Sequence, residues 1–235
     1  MIRKPFPSAL AALAGLSAAL LVPAFAAPAH ADERFQVGIG GGAHFVPMDS
    51  MDSLTSSSAY GVFRMDASLA LPEVSLIPGY RLEAGLRWDS GQLDGTTYNR
   101  VESSMELDTL VATGKLRRAL IGSLSGFAEA QIGLQWASLQ LSDAQSSSAR
   151  PLHGNAKAAV AGIGGGAELT LDRGAHGFHL GFRIDAHYQL ASSMEFAATP
   201  MSAGEDTLEL ETRASSLGSI NSSGMRLGMS LIGRF

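Results

Sequence analysis

The chain has 235 residues, no cysteine, 17 basic and 22 acidic side chains, and a formal net charge of −5. The lack of cysteine excludes a thiol enzyme, a zinc–thiolate centre and a disulfide scaffold. The acidic balance argues against a nucleic-acid binder, which needs a basic face.

Residues 1–31 read as a cleavable signal peptide. Arg3 and Lys4 form the basic start, Ala9 to Phe25 is apolar, and Ala29-His30-Ala31 places small residues where a signal peptidase needs them. The apolar run is short for a membrane helix and is broken by Pro23. Without this leader, 15 basic residues face 22 acidic ones, a formal charge of −7. Residues 32–235 then form one domain, about 200 residues being an ordinary single-domain length. No long apolar segment follows the leader, so a membrane-spanning mature chain has to cross with strands.

Eight segments with period two follow in chain order, each able to supply the roughly 9–11 residues of a transmembrane strand. The first, near 34–46, puts Phe35, Val37, Ile39, Gly41, Ala43 and Phe45 on one face. The second, near 59–71, aligns Phe63, Met65, Ala67, Leu69 and Leu71. The third, near 80–89, sets Tyr80, Leu82, Ala84, Leu86 and Trp88 against Arg81, Glu83, Gly85, Arg87 and Asp89. In the fourth, near 104–116, Met105, Leu107, Thr109, Val111 and Thr113 are assigned outward. The fifth, near 126–140, sets Ala128, Ala130, Ile132, Leu134 and Trp136 against Glu129, Gln131, Gly133 and Gln135. The sixth, near 157–171, groups Ala159, Ala161, Ile163, Ala167 and Leu169. The seventh, Phe178 to Leu190, alternates without an error: Phe178, Leu180, Phe182, Ile184, Ala186, Tyr188 and Leu190 on one side, His179, Gly181, Arg183, Asp185, His187 and Gln189 on the other. The eighth, near 223–235, keeps Met225, Leu227, Met229, Leu231 and Phe235 in phase.

A strand with this pattern has one greasy and one wet side. On a helix, residues two apart sit about 200° apart and would form no stripe. The connections alternate in length. Pro72–Gly79, Arg117–Ser125 and Asp172–Gly177 are short; Pro47–Ser58, Ser90–Ser103, Ser142–Ala156 and Ala191–Ser222 are longer and polar. Aromatic residues cluster toward strand ends, namely Phe35, Phe45, Tyr60, Tyr80, Trp88, Trp136, Phe178, Tyr188 and Phe235, as interfacial girdles require. The fold class expected is therefore all-β: a single eight-stranded antiparallel transmembrane β-barrel with short periplasmic turns, longer external loops and both termini periplasmic. A secreted β-sandwich is the competing fold. A ten-stranded variant would use Thr207-Leu208-Glu209-Leu210-Glu211 of the last loop, which otherwise forms a small raised hairpin.

At its C-terminus the chain resembles the small eight-stranded outer-membrane β-barrels, the OmpA-type transmembrane domain and its relatives. Leu227, Met229, Leu231 and Phe235 carry the resemblance, an aromatic end preceded by alternate hydrophobics, while Gly233 stands where a larger hydrophobe is usual. The resemblance implies an outer-membrane location in a Gram-negative-type envelope and recognition of this segment by the barrel-assembly machinery. Some relatives carry a further peptidoglycan-binding domain; with no residues after Phe235, that anchoring role is not expected from the resemblance.

The repeat Gly38-Ile39-Gly40-Gly41-Gly42-Ala43 and Gly162-Ile163-Gly164-Gly165-Gly166-Ala167 suggests a nucleotide loop, but no helical pattern follows either copy. In a barrel, Gly38, Gly40, Gly42, Gly162, Gly164 and Gly166, with Gly224 and Gly228, face the lumen. An eight-stranded barrel is just wide enough for side chains to fill. Those glycines would make room for Arg64, Arg81, Glu83, Arg87, Glu129, Arg183, Asp185 and Arg226, which must pair if buried. Either the charges interlock as a plug, or they line a narrow water path.

His44 and His187 point inward about 10 Å apart, two strand spacings; a metal would need closer convergence and a third ligand. His179 lies at the other end, and His153 and His176 fall in connections. In the last loop Glu195, Glu205, Asp206, Glu209 and Glu211 against Arg213 could attract divalent cations, yet no calcium-loop spacing is present. No serine, histidine and carboxylate are brought together by spacing. The function expected is a structural or surface-interaction role without cofactor or metal, in contact with outer-membrane lipid and lipopolysaccharide. A narrow channel for ions or small solutes, or a lipid hydrolase using His44 or His187, are the alternatives.

Overall fold

The computed structural model describes residues 34–47, 58–71, 79–97, 101–143, 152–173, 178–196 and 219–235. The signal peptide, the Thr207–Glu211 segment, Glu205, Asp206, Arg213 and His176 lie outside them.

The strands are β1 (Phe35–Phe45), β2 (Ala59–Ala70), β3 (Arg81–Thr97), β4 (Val101–Ile121), β5 (Leu124–Asp143), β6 (Leu152–Arg173), β7 (His179–Ala191), β8 (Met194–Glu195), β9 (Ser219–Ile220) and β10 (Gly224–Arg234). Eight of them close an antiparallel barrel in the order β1-β10-β7-β6-β5-β4-β3-β2. The remaining two, β8 and β9, form a separate two-stranded sheet, so the described residues of the last loop add no strand to the wall. Reciprocal backbone bonds between Phe35 and Phe235, at 3.2 and 2.9 Å, pin the closing seam.

The alternation matches the pleat. Around the lower barrel, on the side of the termini, Ile39, Leu69, Leu86, Ile132, Ile163, Ile184, Leu227 and Leu231 are exposed on the outside. At the same level Arg64, Arg87, Glu129, Glu168, Arg183 and Asp185 are buried inside. On β5 the outward apolar run is Ala128 to Trp136. At about 3.3 Å per residue and a tilt near 45°, that covers roughly 20 Å of height, close to the ~25 Å apolar band of membrane barrels.

Four strands rise far above this band. β3 has 17 residues, β4 21, β5 20 and β6 22, whereas β1 has 11. Residues 90–97 and 101–103, and residues 142–143 and 152–156, expected within long loops, are strand; His153 accordingly sits in β6 rather than in a connection. The β4–β5 turn is shorter than expected, only Gly122-Ser123 between paired Ile121 and Leu124. Gly122 has φ 57°, the left-handed conformation that a two-residue hairpin demands.

In the raised wall the polarity of the two faces reverses. Outside, the residues become Ser90, Gln92 and Asp94 on β3, Glu106 and Asp108 on β4, and Ser138 and Gln140 on β5. Inside, Leu93, Met105, Leu107, Ala137, Leu139, Ala156 and Ala158 are buried as one apolar cluster. Met194 of β8, Ile220 of β9 and Phe196 complete it as a cap over the barrel mouth. A wall surrounded by water buries its greasy face, and one surrounded by hydrocarbon exposes it. The same strands do both at different heights.

This reversal corrects two expectations. Met105, Leu107, Thr109 and Val111 of the fourth segment are buried in the interior rather than facing out. Tyr60 is not a girdle aromatic; it is 6 % exposed and packs inside beneath the cap. The ring of Phe235 lies 6.4 Å from that of Phe35 and 5.1 Å from that of Phe178, an aromatic group at the end where the termini meet.

Candidate functional site: the charged lumen

The lumen is built by registers that set a glycine beside a long polar side chain. Gly40 pairs with Arg64 and Gly38 with Asp66. Gly228 and Gly166 flank Asp185. Gly164 stands between Glu129 and His187, and Gly162 between Gln131 and Gln189. The glycines are occupied space. A Cβ on Gly228 would sit 2.7 Å from Arg64 Nη1 and 3.0 Å from Asp185 Oδ1; one on Gly38 would lie 2.6 Å from both Arg183 and Asp66. Gly42 faces Gly228, and Gly224 faces Gln189, across the neighbouring strands.

The charges form two tiers. In the tier nearer the cap, Arg64 donates to Asp89 at 2.9 Å and to Asp185 at 2.6 Å, crossing from β2 to β3 and to β7. Arg226 of β10 also pairs with Asp89. Arg87 pairs with Glu129 and donates to Gln131 at 3.1 Å. His187 Nε2 lies 3.1 Å from Asp185 Oδ1. In the tier nearer the termini, Glu168 is the hub, with 0 % side-chain exposure. It meets Lys115 at 3.4 Å, Arg117 at 3.6 Å and Arg183 at 3.9 Å, and pairs with Arg234. Glu83 holds Arg117 at 3.1 Å and Lys115 at 3.7 Å, and Asp66 pairs with Arg183.

Of the charged residues singled out in the sequence, Arg64, Glu83, Arg87, Glu129, Arg183, Asp185 and Arg226 are buried within these tiers, while Arg81 is half-buried at the start of β3, in register with Arg117. Asp66, Asp89, Lys115, Arg117, Glu168 and Arg234 belong to the same network and were not among the predicted site residues. Asp66, Asp89, Glu168 and Arg234 share the face of charges or glycines already assigned inward, so strict parity finds them. Lys115 and Arg117 were hidden by the inverted reading of the fourth segment.

His44 is fully buried. Its Nδ1 accepts from the Tyr60 hydroxyl at 2.6 Å and from Arg226 Nε at 3.3 Å. Since Arg donates only, Nδ1 carries the lone pair and the proton sits on Nε2. His44 and His187 are thus committed to the interior, one to Tyr60 and Arg226, the other to Asp185, and neither is on the lipid-facing side. No cluster of three or more potential metal ligands exists among the described residues. Above the charges, Gln135 Nε2 donates to Thr109 at 3.1 Å and Gln135 Oε1 accepts from Ser222, tying the last loop to the lumen. At the end of the chain, Leu227, Met229 and Leu231 face outward and are exposed.

A closed eight-stranded antiparallel barrel, apolar outside and ion-paired inside over its lower part, defines the class: a small β-barrel of the membrane-spanning kind. No family model matches the sequence, and no curated protein matches it. Among solved structures, similarity is found to Neisserial surface protein A, at 8% identity with a TM-score of 0.49, covering 86% of this chain and 97% of that one. Ail, the attachment invasion locus protein of Yersinia pestis, is 10% identical with a TM-score of 0.40, covering 87% and 100%. The translocator domain of the autotransporter NalP from Neisseria meningitidis is 11% identical with a TM-score of 0.37, covering 97% of both chains.

Proposed function

We propose that this protein is a non-enzymatic outer-membrane barrel with a plugged lumen, which displays the raised β3–β6 wall and its loops as an interaction surface outside the cell. The observation that carries the reading is the reversal of polarity along single strands. Below it, charge is inside and hydrocarbon-like surface outside. Above it, the faces are those of a water-soluble sheet. On this reading the lower barrel lies in lipid, the termini in the periplasm and the wall in the external medium.

The plug has two layers. In each tier an ion pair crosses the lumen between β2 and β7, Arg64 with Asp185 and Arg183 with Asp66, and an apolar cap of Leu107, Leu139, Met194 and Phe196 lies above them. Conduction would require both to part. A lipid hydrolase that uses His44 or His187 is disfavoured, because both are buried in the interior.

Recording from the purified full chain in planar bilayers tests the plug. No steady conductance is expected; a steady ion-selective current that changes in Arg183→Ala would overturn it. Topology is tested on intact cells by maleimide labelling, in a chain that has no native cysteine. Gln140→Cys should label and Ser123→Cys should not, and the reverse pattern would overturn the external wall.

A further inference from the structure

On the outside of the barrel, β1 and β2 leave a gap in the wall's side-chain cover. Gly41 pairs with Phe63, and Ala43 with Gly61, so two outward positions on adjacent strands lack a side chain. A Cβ added to Gly61 would meet nothing within 4 Å, and one on Gly41 would meet only the Val62 carbonyl, at 3.0 Å. The gap is a groove of about 380 Å³, bounded by Phe63 on one side and by Ser90, Gln92 and Glu106 on the other.

Its height on the barrel decides what it can hold. Phe63, 44 % exposed, stands edge-on to Trp88 at 6.0 Å between ring centroids, and Met65 is the next outward residue below it. Those residues belong to the apolar belt. Ser90 pairs with Asp108 and Gln92 with Glu106, the first polar rows above the belt. The groove therefore straddles the level at which the belt ends. An occupant would rest its hydrocarbon on Phe63 and its head among Ser90, Gln92 and Glu106.

The head group follows from the donor and acceptor set. Among the described residues no lysine or arginine lines the groove, while Glu106 does, and Asp108 lies in the adjoining row. A phosphate would meet like charge here, without the cation that phosphate recognition needs. Gln92 Nε2 donates to Asp94 at 3.1 Å, which leaves its carbonyl oxygen as an acceptor; hydroxyls are suited, since they can donate to that oxygen and to the Glu106 carboxylate and exchange hydrogen bonds with Ser90. Phe63 beside a polar wall offers the mixed surface that a sugar ring presents in return. We infer that the Gly41–Gly61 groove is a binding site for the glycosyl head group of a membrane lipid, held by Ser90, Gln92 and Glu106. This rests on the apolar belt lying in lipid, as proposed above.

The test uses the full chain folded in micelles of a non-sugar detergent. Heat-modifiable gel mobility reports barrel folding separately from ligand binding. With Trp136→Phe, Trp88 is the remaining tryptophan and its fluorescence reads the groove. Titration with a monoglycosyl diacylglycerol should give a saturable shift. Gly61→Leu, which fills the groove at an unobstructed outward position, should weaken it by about tenfold or more. Phosphatidylglycerol and phosphatidylethanolamine should give no saturable shift. A folded barrel that gives no saturable shift with the glycolipid, gives an equal one with either phospholipid, or binds undiminished in Gly61→Leu would overturn the inference while leaving the barrel reading intact. Equal binding of methyl glucoside, which has no acyl chain, would overturn the assignment to a membrane lipid. A chain that never acquires heat-modifiable mobility would overturn the membrane reading itself.

Discussion

Replacing Glu168 by glutamine keeps its shape and removes the charge on which the lower tier converges. Lys115, Arg117 and Arg183 lie 3.4, 3.6 and 3.9 Å from its oxygens, and Arg234 also pairs with it. At an effective dielectric constant of 20, each such contact is about 4–5 kcal/mol of gross attraction. These do not add, because the cations also repel one another and keep other partners. Lys115 and Arg117 retain Glu83, Arg183 retains Asp66, and Arg234 retains Gln36 and Thr170. The remaining cost is that of a buried cation cluster short of one carboxylate, about 3–5 kcal/mol by analogy with other broken buried pairs. Urea unfolding of the barrel in lipid vesicles, followed by tryptophan fluorescence, measures it at equal m-value. Adding Lys115→Met should recover part of the loss, because it removes one stranded cation. A loss below about 1 kcal/mol in Glu168→Gln, or a further loss in the double variant, would refute the hub role.

Three further outcomes follow from the two-level wall. Ile132→Arg, on the outward face of the belt, should cost about 2–4 kcal/mol in vesicles, while Ser138→Arg, three rows higher on the same face, should stay within about 0.5 kcal/mol; the same unfolding assay compares them. Leu139→Ala, in the capped cluster, should lose about 2–5 kcal/mol by that measurement. Gly228→Val, whose Cβ would intrude on Arg64 and Asp185, should lower the yield of heat-modifiable folded protein, whereas Gly114→Val, facing outward with nothing within 4 Å, should not.

The barrel's closure and the facing of six of its strands were legible because alternation keeps one dominant phase at the level of the belt in β1, β2, β5, β6, β7 and β10. β3 was also read with the right face, but only to Asp89; its continuation to Thr97 was hidden because serine, aspartate and glycine there suggest a loop. β4 carries two patterns on one face. Its inward face runs Met105, Leu107, Thr109, Val111, Thr113, Lys115 and Arg117, apolar at one end and cationic at the other. A rule that equates the apolar side with lipid assigns such a strand by whichever end dominates the window. The periodicity is sound, but the solvent outside the wall changes partway along it. The ion-pair partners were harder to read, since Arg64 with Asp185 and Arg226 with Asp89 join residues 121 and 137 positions apart through the lumen.

β1 contributes Gln36, Gly38, Gly40, Gly42 and His44 to the lumen, and both of its edges are in hydrogen-bonded register, with β2 and with β10. None of those side chains is a carboxylate, an ammonium or a guanidinium. Every arginine, lysine, aspartate and glutamate named in the two tiers is supplied by β2–β7 and β10. The final zipping of N-terminal strand to C-terminal strand therefore drags no formal charge through hydrocarbon. It slides a nearly bare ribbon over ion pairs that the other seven staves can already have joined.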